Sequence, residues 1–415
     1  MKQSQLLFKA QREAPKDEKS VNAKLLVRAA FVDKLMAGVY SYLPLGFLVL
    51  KKIENIIREE MVKVGGQELL LPALHPKENW AKTGRWQTEE MFKLKSRGGK
   101  DYGLGWTHEE IITPLVKKFV SSHKDLPLFV FQIQNKFRDE LRAKSGILRG
   151  IEFIMKDLYS FHKDEKDLSD YYEKVKSAYF KIFARCGLKK ETFLTLAGGG
   201  TFSKYSHEFQ AVTPYGEDLI YLCRNCSLAI NKEIIEGEGN ACFKCKSKNL
   251  EQKKAIELGN IFKLNDRFSK AFDFYFKDVK GQKKIVFMGC YGIGLGRLMG
   301  AIAEINNDKN GIIWPKEVAP FLVHLIPIEA SKKVIKAADN LYDDLQNQGI
   351  EVLYDDRYGK GAGEKLVEAD LLGIPYRMVV SEKTLKQNSI EFKERGTEKM
   401  RLIKISNVKV QMSKL

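Results

Sequence analysis

The segment from Gln132 to His162, QIQNKFRDELRAKSGILRGIEFIMKDLYSFH, sets the tightest limit on the fold. Gln132 to Phe137 and Ile151 to Leu158 carry the β-branched and aromatic residues of strands, and the stretch between them contains Gly146 and Gly150. This pattern predicts a hairpin with a long loop. Arg138, Arg142, Lys144 and Arg149 make that loop strongly cationic. Guanidinium forks match phosphate oxygens and carboxylates better than ammonium groups do, so a polyphosphate is the natural ligand. A solvated basic turn is the plain alternative.

A chain of 415 residues has room for two or three domains, and its composition is that of an ordinary globular protein. No apolar run approaches the roughly 18 residues of a membrane helix. The first residues, MKQSQLLFKAQREAP, lack the apolar core and small-residue cleavage site of a signal peptide, so a cytoplasmic location is expected. The formal net charge of +17 favours a polyanionic partner such as nucleic acid. From Val318 onward there are 16 Lys+Arg and 14 Asp+Glu, against 54 and 39 before it, so the positive excess lies in the first 317 residues.

Four of the six cysteines form two C-x-x-C pairs, Cys223 with Cys226 and Cys242 with Cys245, with 15 residues between the pairs. Without an export signal this spacing predicts a metal rather than disulfides. Four thiolates suit tetrahedral Zn²⁺ with no open position, a structural site, although iron fits the same ligand set. Lys244, Lys246, Lys248, Lys253 and Lys254 surround the second pair and offer a further surface to a polyanion.

Amphipathic spacing predicts helices over Ser20 to Gly38 and Leu45 to Val64, followed by a turn and a strand ending at Pro72. ENWAKTGRW places two tryptophans in a polar loop. Thr107-His108-Glu109-Glu110 precedes an apolar helix, and its plainest reading is a helix start with Thr107 as N-cap and Glu110 completing a capping box. Asp167 to Gly187 reads as a helix with Cys186 buried near its end. Gly198 to Gly200 lead into Ser206-His207-Glu208-Phe209, where a structural histidine is the bland reading of His207. Glu257 to Leu264 alternates like a strand. Met288 to Arg297 reads strand, glycines and helix, but the spacing fails G-x-G-x-x-G, because Gly292 and Gly294 are followed by Arg297, and Gly294 and Gly296 by Met299. Beyond Ile312 to Pro320, strands and helices alternate as in a separate α/β domain with a mixed sheet.

Phe137-Arg138-x-Glu140, the loop, and then Arg149, Phe153 and Asp157 resemble the second signature motif of the class II aminoacyl-tRNA synthetases. The strand ending at Pro72 is similar to the first motif, and G-x-G-x-G-R at 292–297 to the third. THEE, SHEF, ENWAKTGRW and the phrases DDR at 355–357 and EADLLGIPYR at 368–377 resemble the prolyl branch of that family. Departures are Trp106 where proline is expected, Ala143-Lys144-Ser145 where the loop usually reads Pro-Arg-Phe, and Asn260 in place of histidine.

The resemblance implies an α+β fold: a class II catalytic domain on an antiparallel sheet over 1–317, with a zinc ribbon inserted at about 219–255, and an α/β anticodon-binding domain over 318–415. It implies a ligase that activates proline with ATP and Mg²⁺ and charges the 3′ end of tRNA(Pro), as a homodimer and without DNA or membrane as partner. Arg138 and Arg297 are the implied catalytic residues. The nucleotide falls to Arg138, Glu140, Arg149, Phe153, Gly292, Gly294, Gly296 and Arg297, with Glu257 beside the metal. Proline falls to Thr107, Glu109, Arg138, Phe161, His207, Glu208, Phe209 and Cys290. Contacts to tRNA are expected at Arg142, Lys144, Asp356, Arg357, Lys365 and Arg377. Only about 80 residues separate Phe209 from Met288, too few for the editing domain that long bacterial relatives carry there. Two other readings are a catalytically silent paralogue that binds RNA and a sister specificity such as threonyl. The first would ordinarily lack the motif arginines, and the second needs a zinc with pocket ligands.

Overall fold

The computed structural model describes residues 1–15, 18–141 and 145–412, so Arg142, Ala143 and Lys144 lie outside the described residues. Two compact units emerge. One comprises Met1–Leu35, Tyr40–Lys52 and Ile302–Leu415, the other Met36–Val39 and Ile53–Ala301.

Helix α1 covers Val21–Arg28 and α2 covers Pro44–Lys63. The first is much shorter than expected. Ala30 adopts a left-handed conformation at φ 56, and the chain continues as a strand, Val32–Met36, that turns at Gly38 into Val39–Tyr42. In α2, Val49, Ile53, Ile56, Ile57 and Met61 are all buried, as their spacing requires.

The larger unit holds a nine-stranded sheet. Its strands are β1 (Gln67–Glu68), β2 (Leu128–Phe137), β3 (Glu152–His162), β4 (Thr192–Gly198), β5 (Tyr205–Val212), β6 (Asp218–Cys223), β7 (Ala229–Asn231), β8 (Leu250–Asn265) and β9 (Phe287–Gly294). They lie in the order β5-β4-β7-β6-β8-β9-β3-β2-β1, and β5 also pairs with β8. Most neighbours are antiparallel, but β7 runs parallel to β4 and β1 parallel to β2, so the sheet is mixed at both flanks. The strand expected before Pro72 shrinks to the two residues of β1; past Glu68 the Leu69 N–H still donates to Phe131 O at 2.9 Å, and the Leu71 N–H then turns to the Gln132 side chain at 3.0 Å. Helix α3 (Glu109–Lys117) feeds into the hairpin β2–β3, and α4 (Glu165–Arg185) leaves it. Leu168, Tyr172, Val175, Tyr179, Ile182 and Phe183 line the buried face of α4, and Asp164 caps its first turn. Cys186 is buried at the end of this helix. Helix α5 (Leu295–Ile305) follows β9 directly.

The smaller unit contains β10 (Val323–Pro327), α6 (Lys332–Gln346), β11 (Val352–Tyr354), α7 (Ala362–Leu372), β12 (Tyr376–Val380), β13 (Ser389–Glu394) and β14 (Met400–Lys404). Its sheet runs β11-β10-β12-β13-β14, with β10 parallel to β11 and β12 and the last two pairings antiparallel. The first residues of the chain belong here. The Met1 ammonium donates to Val352 O at 2.8 Å, and Gln3 lies between His324 and Glu368. Among the described residues no helix is long and apolar enough to cross a membrane.

Gly46, in the first turn of α2, has the carbonyl oxygen of Phe31 at 1.9 Å from the place a Cβ would take. Both belong to the smaller unit. Gly46→Ala is therefore expected to destabilise the protein by about 2 kcal/mol or more, read as a lowered thermal midpoint. An unchanged midpoint would show that this approach is not constrained.

Candidate active site

Strand periodicity assembles the floor. Residues two apart point to the same face, so Lys136 and Arg138 on β2 and its end, Met155, Asp157 and Tyr159 on β3, and Cys290, Gly292 and Gly294 on β9 all line one cavity of about 240 Å³. Strand β8 adds Glu257, Asn260 and Phe262. These differ in parity, and a bulge reconciles them: Phe209 pairs with Gly259 and Gln210 with Glu257, leaving Leu258 as the extra residue. A second opening of about 180 Å³ shares Arg138, Glu257 and Arg297 with the cavity and adds Glu140, Arg149 and Asp218.

Lys136 and Asp157 form a fully buried ion pair at 2.7 Å across the hairpin. Gln132 donates to the other carboxylate oxygen at 2.9 Å. Burial alone would raise the Asp157 pKa, but Lys136 and then His108 hold it below the ordinary carboxylate value.

Arg138 behaves differently. Among the described residues no carboxylate pairs with it, and its buried Nε has no hydrogen-bond partner. Its guanidinium carbon lies 5.5 Å from the Trp106 ring and 5.2 Å from the Phe153 ring. Arg297 donates to Leu148 O at 3.0 Å and pairs with Glu257 at 2.7 Å, whereas Arg149 pairs with Glu140 at 2.8 Å. Phe153, Arg138, Arg297 and Gly294 also surround a narrow slot. A Cβ on Gly292 or Gly294 would meet nothing closer than 3.5 Å, so the room beside these glycines is open to a ligand. Gly296 sits in the first turn of α5, outside the walls described here.

At the other end, α3 begins with an arrangement that sequence reading missed. The N-cap is His108, without a side-chain cap, and the expected capping box is absent because Glu110 turns to Arg85 at 3.0 Å and Thr83 at 2.8 Å. Buried Arg85 also reaches Glu109 at 3.4 Å and Thr107 Oγ1 at 3.3 Å. Four rings surround its guanidinium: Trp80 at 5.3 Å, Trp106 at 5.0 Å, Phe202 at 4.6 Å and Phe268 at 5.3 Å. The GRW phrase was its only signal. Trp106 thus lies against two arginines, Arg85 and Arg138.

Thr107, Glu109, Glu208 and Cys290 meet in the cavity wall as expected. The Cys290 thiol donates to Glu109 at 3.1 Å, and burial, then Glu109, push its pKa well up, so it stays protonated. Glu208 accepts from Gln210 at 2.8 Å, Asn231 at 3.1 Å and Asn260 at 3.3 Å, and among the described residues no cation forms an ion pair with it. Burial and the Glu257 carboxylate push its pKa up to about 8. Asn260, the departure from histidine, is thus a donor to Glu208.

Other expected contacts fall elsewhere. Phe161 is fully buried in the apolar core, and Phe209 packs among Tyr179, Phe180 and Phe183 on the far face of β5. His207 bonds the Tyr172 hydroxyl at 2.8 Å rather than lining the wall, and burial lowers its pKa to about 4. In the smaller unit, Lys365 is buried and donates to Pro327 O and Asp355 O, so it is not the surface cation expected to meet RNA. Arg357 pairs with Asp355 and Glu368, Arg377 with Asp370, and Asp356 accepts from Ser4.

The four cysteines of the two C-x-x-C pairs converge, with all Sγ atoms within 4.8 Å of one another. Cys223–Cys245 and Cys226–Cys242 are each 3.5 Å apart, far beyond a disulfide. Metal–sulfur bonds of about 2.3 Å in a tetrahedron give sulfur–sulfur edges of about 3.8 Å. The donor set therefore fits a four-coordinate metal ion.

Residues 92–306 match the family described as tRNA synthetase class II core domain (G, H, P, S and T), and residues 322–415 match the Anticodon binding domain. The chain is 32% identical over 560 positions to a proline--tRNA ligase of Syntrophomonas wolfei, covering 98% of each. It is 33% identical over 567 positions to that of Moorella thermoacetica, covering 100% of this chain and 98% of the relative. Both alignments exceed the 415 residues of this chain, so the relatives carry a long segment without counterpart here. Among solved structures, Giardia lamblia prolyl-tRNA synthetase in complex with prolyl-adenylate has a TM-score of 0.79 at 23% identity, covering 94% of this chain and 75% of that one. Cryptosporidium parvum prolyl-tRNA synthetase complexed with L-proline and AMP has a TM-score of 0.78 at 18% identity, covering 95% and 74%. These two likenesses establish the fold.

Because the Glu208 pKa is raised, its protonated form stabilises the fold at low pH, and that contribution is lost as pH rises toward 8. Glu208→Gln is expected to flatten the fall of the thermal midpoint between about pH 6 and about pH 8.5. An unaltered slope would remove this assignment.

Proposed function

Since the chain belongs to the proline--tRNA ligases of the class II aminoacyl-tRNA synthetase family, we propose that its cavity forms prolyl-adenylate from proline and ATP and then charges the 3′ end of tRNA(Pro). The observation that carries this is Arg138, a half-buried guanidinium held between two rings with no anion of its own. It stands between the acid-lined end with Glu109 and the arginine-lined opening with Arg149 and Arg297.

Glu109 and Thr107 take the secondary ammonium of proline, a carboxylate matching its charge and a hydroxyl its second proton. The carboxylate of proline then faces Arg138. Its oxygen attacks the α-phosphorus of ATP in line, and the bond from that phosphorus to the bridging oxygen breaks as pyrophosphate leaves. Arg138 stabilises the charge gathering at the α-phosphate, while Arg149 and Arg297 exchange Glu140 and Glu257 for phosphate oxygens. Phe153 stacks on the adenine, and Glu140, released from Arg149, accepts from its amino group. Bound with the nucleotide, Mg²⁺ supplies further neutralisation of the phosphates, and the hard oxygens of Glu257 and Asp218 in the opening suit it. In the second step a ribose hydroxyl of tRNA attacks the adenylate carbonyl, and AMP departs. No protein nucleophile is required.

Residues 1–317 supply the catalytic domain in this reading, with a zinc-holding ribbon at about 219–255, and 318–415 the anticodon-binding domain, to whose compact unit residues 1–35, 40–52 and 302–317 also belong. The active form is a cytoplasmic homodimer. Arg357, Arg377 and Asp356 must exchange their present partners to meet RNA, and Arg142 and Lys144 are the proposed acceptor-end contacts of the hairpin loop.

ATP–pyrophosphate exchange run with each amino acid tests the reading. Proline-dependent exchange is expected, exchange with another amino acid alone points to a sister specificity, and none points to a silent paralogue. Arg138→Ala is expected to lower proline-dependent exchange at least about 100-fold with the thermal midpoint nearly unchanged. The region where an editing domain would stand is occupied by the ribbon, so the purified protein is expected to leave alanyl-tRNA(Pro) intact, although a proline pocket discriminates weakly against alanine. Efficient deacylation would overturn that expectation.

A further inference from the structure

The ribbon is not an appendage. Its inner strand β7 is inserted between β4 and β6, and Cys223 closes β6 itself. From β7 the chain runs through residues 232–241 to Cys242, so this loop is fixed at one end by the sheet and at the other by the cysteine cluster. Two of its side chains reach the β4–β5 connection.

Glu233 Oε1 accepts from the Gly198 N–H at 2.6 Å, and Glu238 Oε1 accepts from the Tyr205 hydroxyl at 2.8 Å. Gly198 ends β4 and Tyr205 begins β5. The ribbon therefore brackets both ends of residues 199–204. That short loop carries Phe202, which lines the cavity, stands 4.6 Å from Arg85, lies parallel to the Trp106 ring at 6.4 Å and packs on Phe262 at 4.8 Å. From the root of the same ribbon segment, Asn231 donates to Glu208 at 3.1 Å, and Phe243, next to Cys242, packs against His207 at 6.4 Å.

We propose that the four-cysteine ribbon is a clamp on the amino-acid end of the cavity, through which its bound metal sets the affinity for proline. Glu233, Glu238 and Asn231 are its positioning residues. Between β7 and β8 residues 232–249 are held by the sheet at their two ends, and the metal pins this segment partway by tying Cys242 and Cys245 to Cys223 and Cys226, so its loss lengthens the free loop and raises its conformational entropy. Glu238 and Phe243, nearest the cluster, lose their places first, then Phe202 loses its bracket. The nucleotide opening is lined by the hairpin, by Arg297 and by the sheet ends of β6 and β8 at Asp218 and Ala255 to Glu257, and among the described residues no side chain of 232–241 bonds to any of these. Metal loss therefore acts on one substrate and spares the other. This inference rests on proline being the amino acid activated.

The test uses the metal-loaded enzyme, the same enzyme after chelation, and the loaded variants Glu233→Ala and Glu233→Gln. Calorimetry of proline and of ATP binding is read beside the KM values of pyrophosphate exchange and hydrogen exchange over residues 198–206. Chelation is expected to weaken proline binding about tenfold while ATP binding stays within about twofold, and to raise exchange over 198–206. Glu233→Ala reproduces about fivefold of the proline effect with metal in place, and Glu233→Gln, which keeps a carbonyl acceptor, restores it. Should chelation unfold the enzyme, the loaded variants still decide the matter. Proline affinity unchanged in Glu233→Ala, or proline and ATP weakened alike, overturns the clamp. If the untreated enzyme shows no proline-dependent exchange at all, the proposed function fails instead.

Discussion

The Lys136–Asp157 pair is the constraint on which the rest of the site depends. Two charges removed from water cost several kcal/mol each, so such a pair persists only when its remaining hydrogen-bond capacity is met. Here Gln132 meets it from the same strand, and His108, 4.0 Å from the carboxylate, lies on the facing loop. The pair spans β2 and β3 diagonally and locks their register. A slip of either strand by one residue would turn its member of the pair toward the other face and leave both charges unpaired. Since Arg138 lies two residues beyond Lys136, the same lock aims Arg138 into the cavity.

Charge is sorted along that cavity. Glu109 stands at one end with Thr107 and Cys290, and Arg138, Arg149 and Arg297 stand at the other, while Glu208 on the β5 wall is linked through Gln210 to Asp218 of the second opening. Glu208 carries its proton at neutral pH, whereas Glu109 lies within 3.4 Å of Arg85 and beside a thiol that donates to it. The two acids are thus kept distinct by their neighbours, and in the proposed function it is Glu109 that balances the ammonium of proline.

How much of this was legible in the sequence depends on how far apart the partners lie. The hairpin, the helices after it and the cysteine cluster follow from period and spacing within a few dozen residues, whereas the roles expected of Arg138, Arg149 and Arg297 came from the resemblance to a family. Arg85 does not. Its four rings come from positions 80, 106, 202 and 268, and nothing local distinguishes it from a loop arginine. The same holds for Lys365, whose burial depends on carbonyls at 327 and 355, for Phe209, which lies on the opposite face of its strand from Glu208, and for Phe161, which shares the face of Asp157 and Tyr159 but packs in the apolar core. Residues 20–38 misled for a different reason: an apolar pattern compatible with a helix was overruled by the left-handed Ala30 and the turn at Gly38.

The three nucleotide-side arginines are not equivalent, and the difference bears on catalysis. Arg149 and Arg297 rest on Glu140 and Glu257, so any phosphate they bind must first displace a carboxylate. Their net gain is the difference between two charge-assisted interactions, which is small for a ground-state ligand and grows as negative charge accumulates on the leaving group. Arg138 has no carboxylate to release, and its cost is carried in the folded state, where Trp106 and Phe153 offset part of the desolvation. It is therefore oriented before substrate arrives and loses little on reorganisation. In the proposed function a cation of that kind takes the reacting phosphorus, and the paired arginines, which respond to charge as it moves outward, take the departing end.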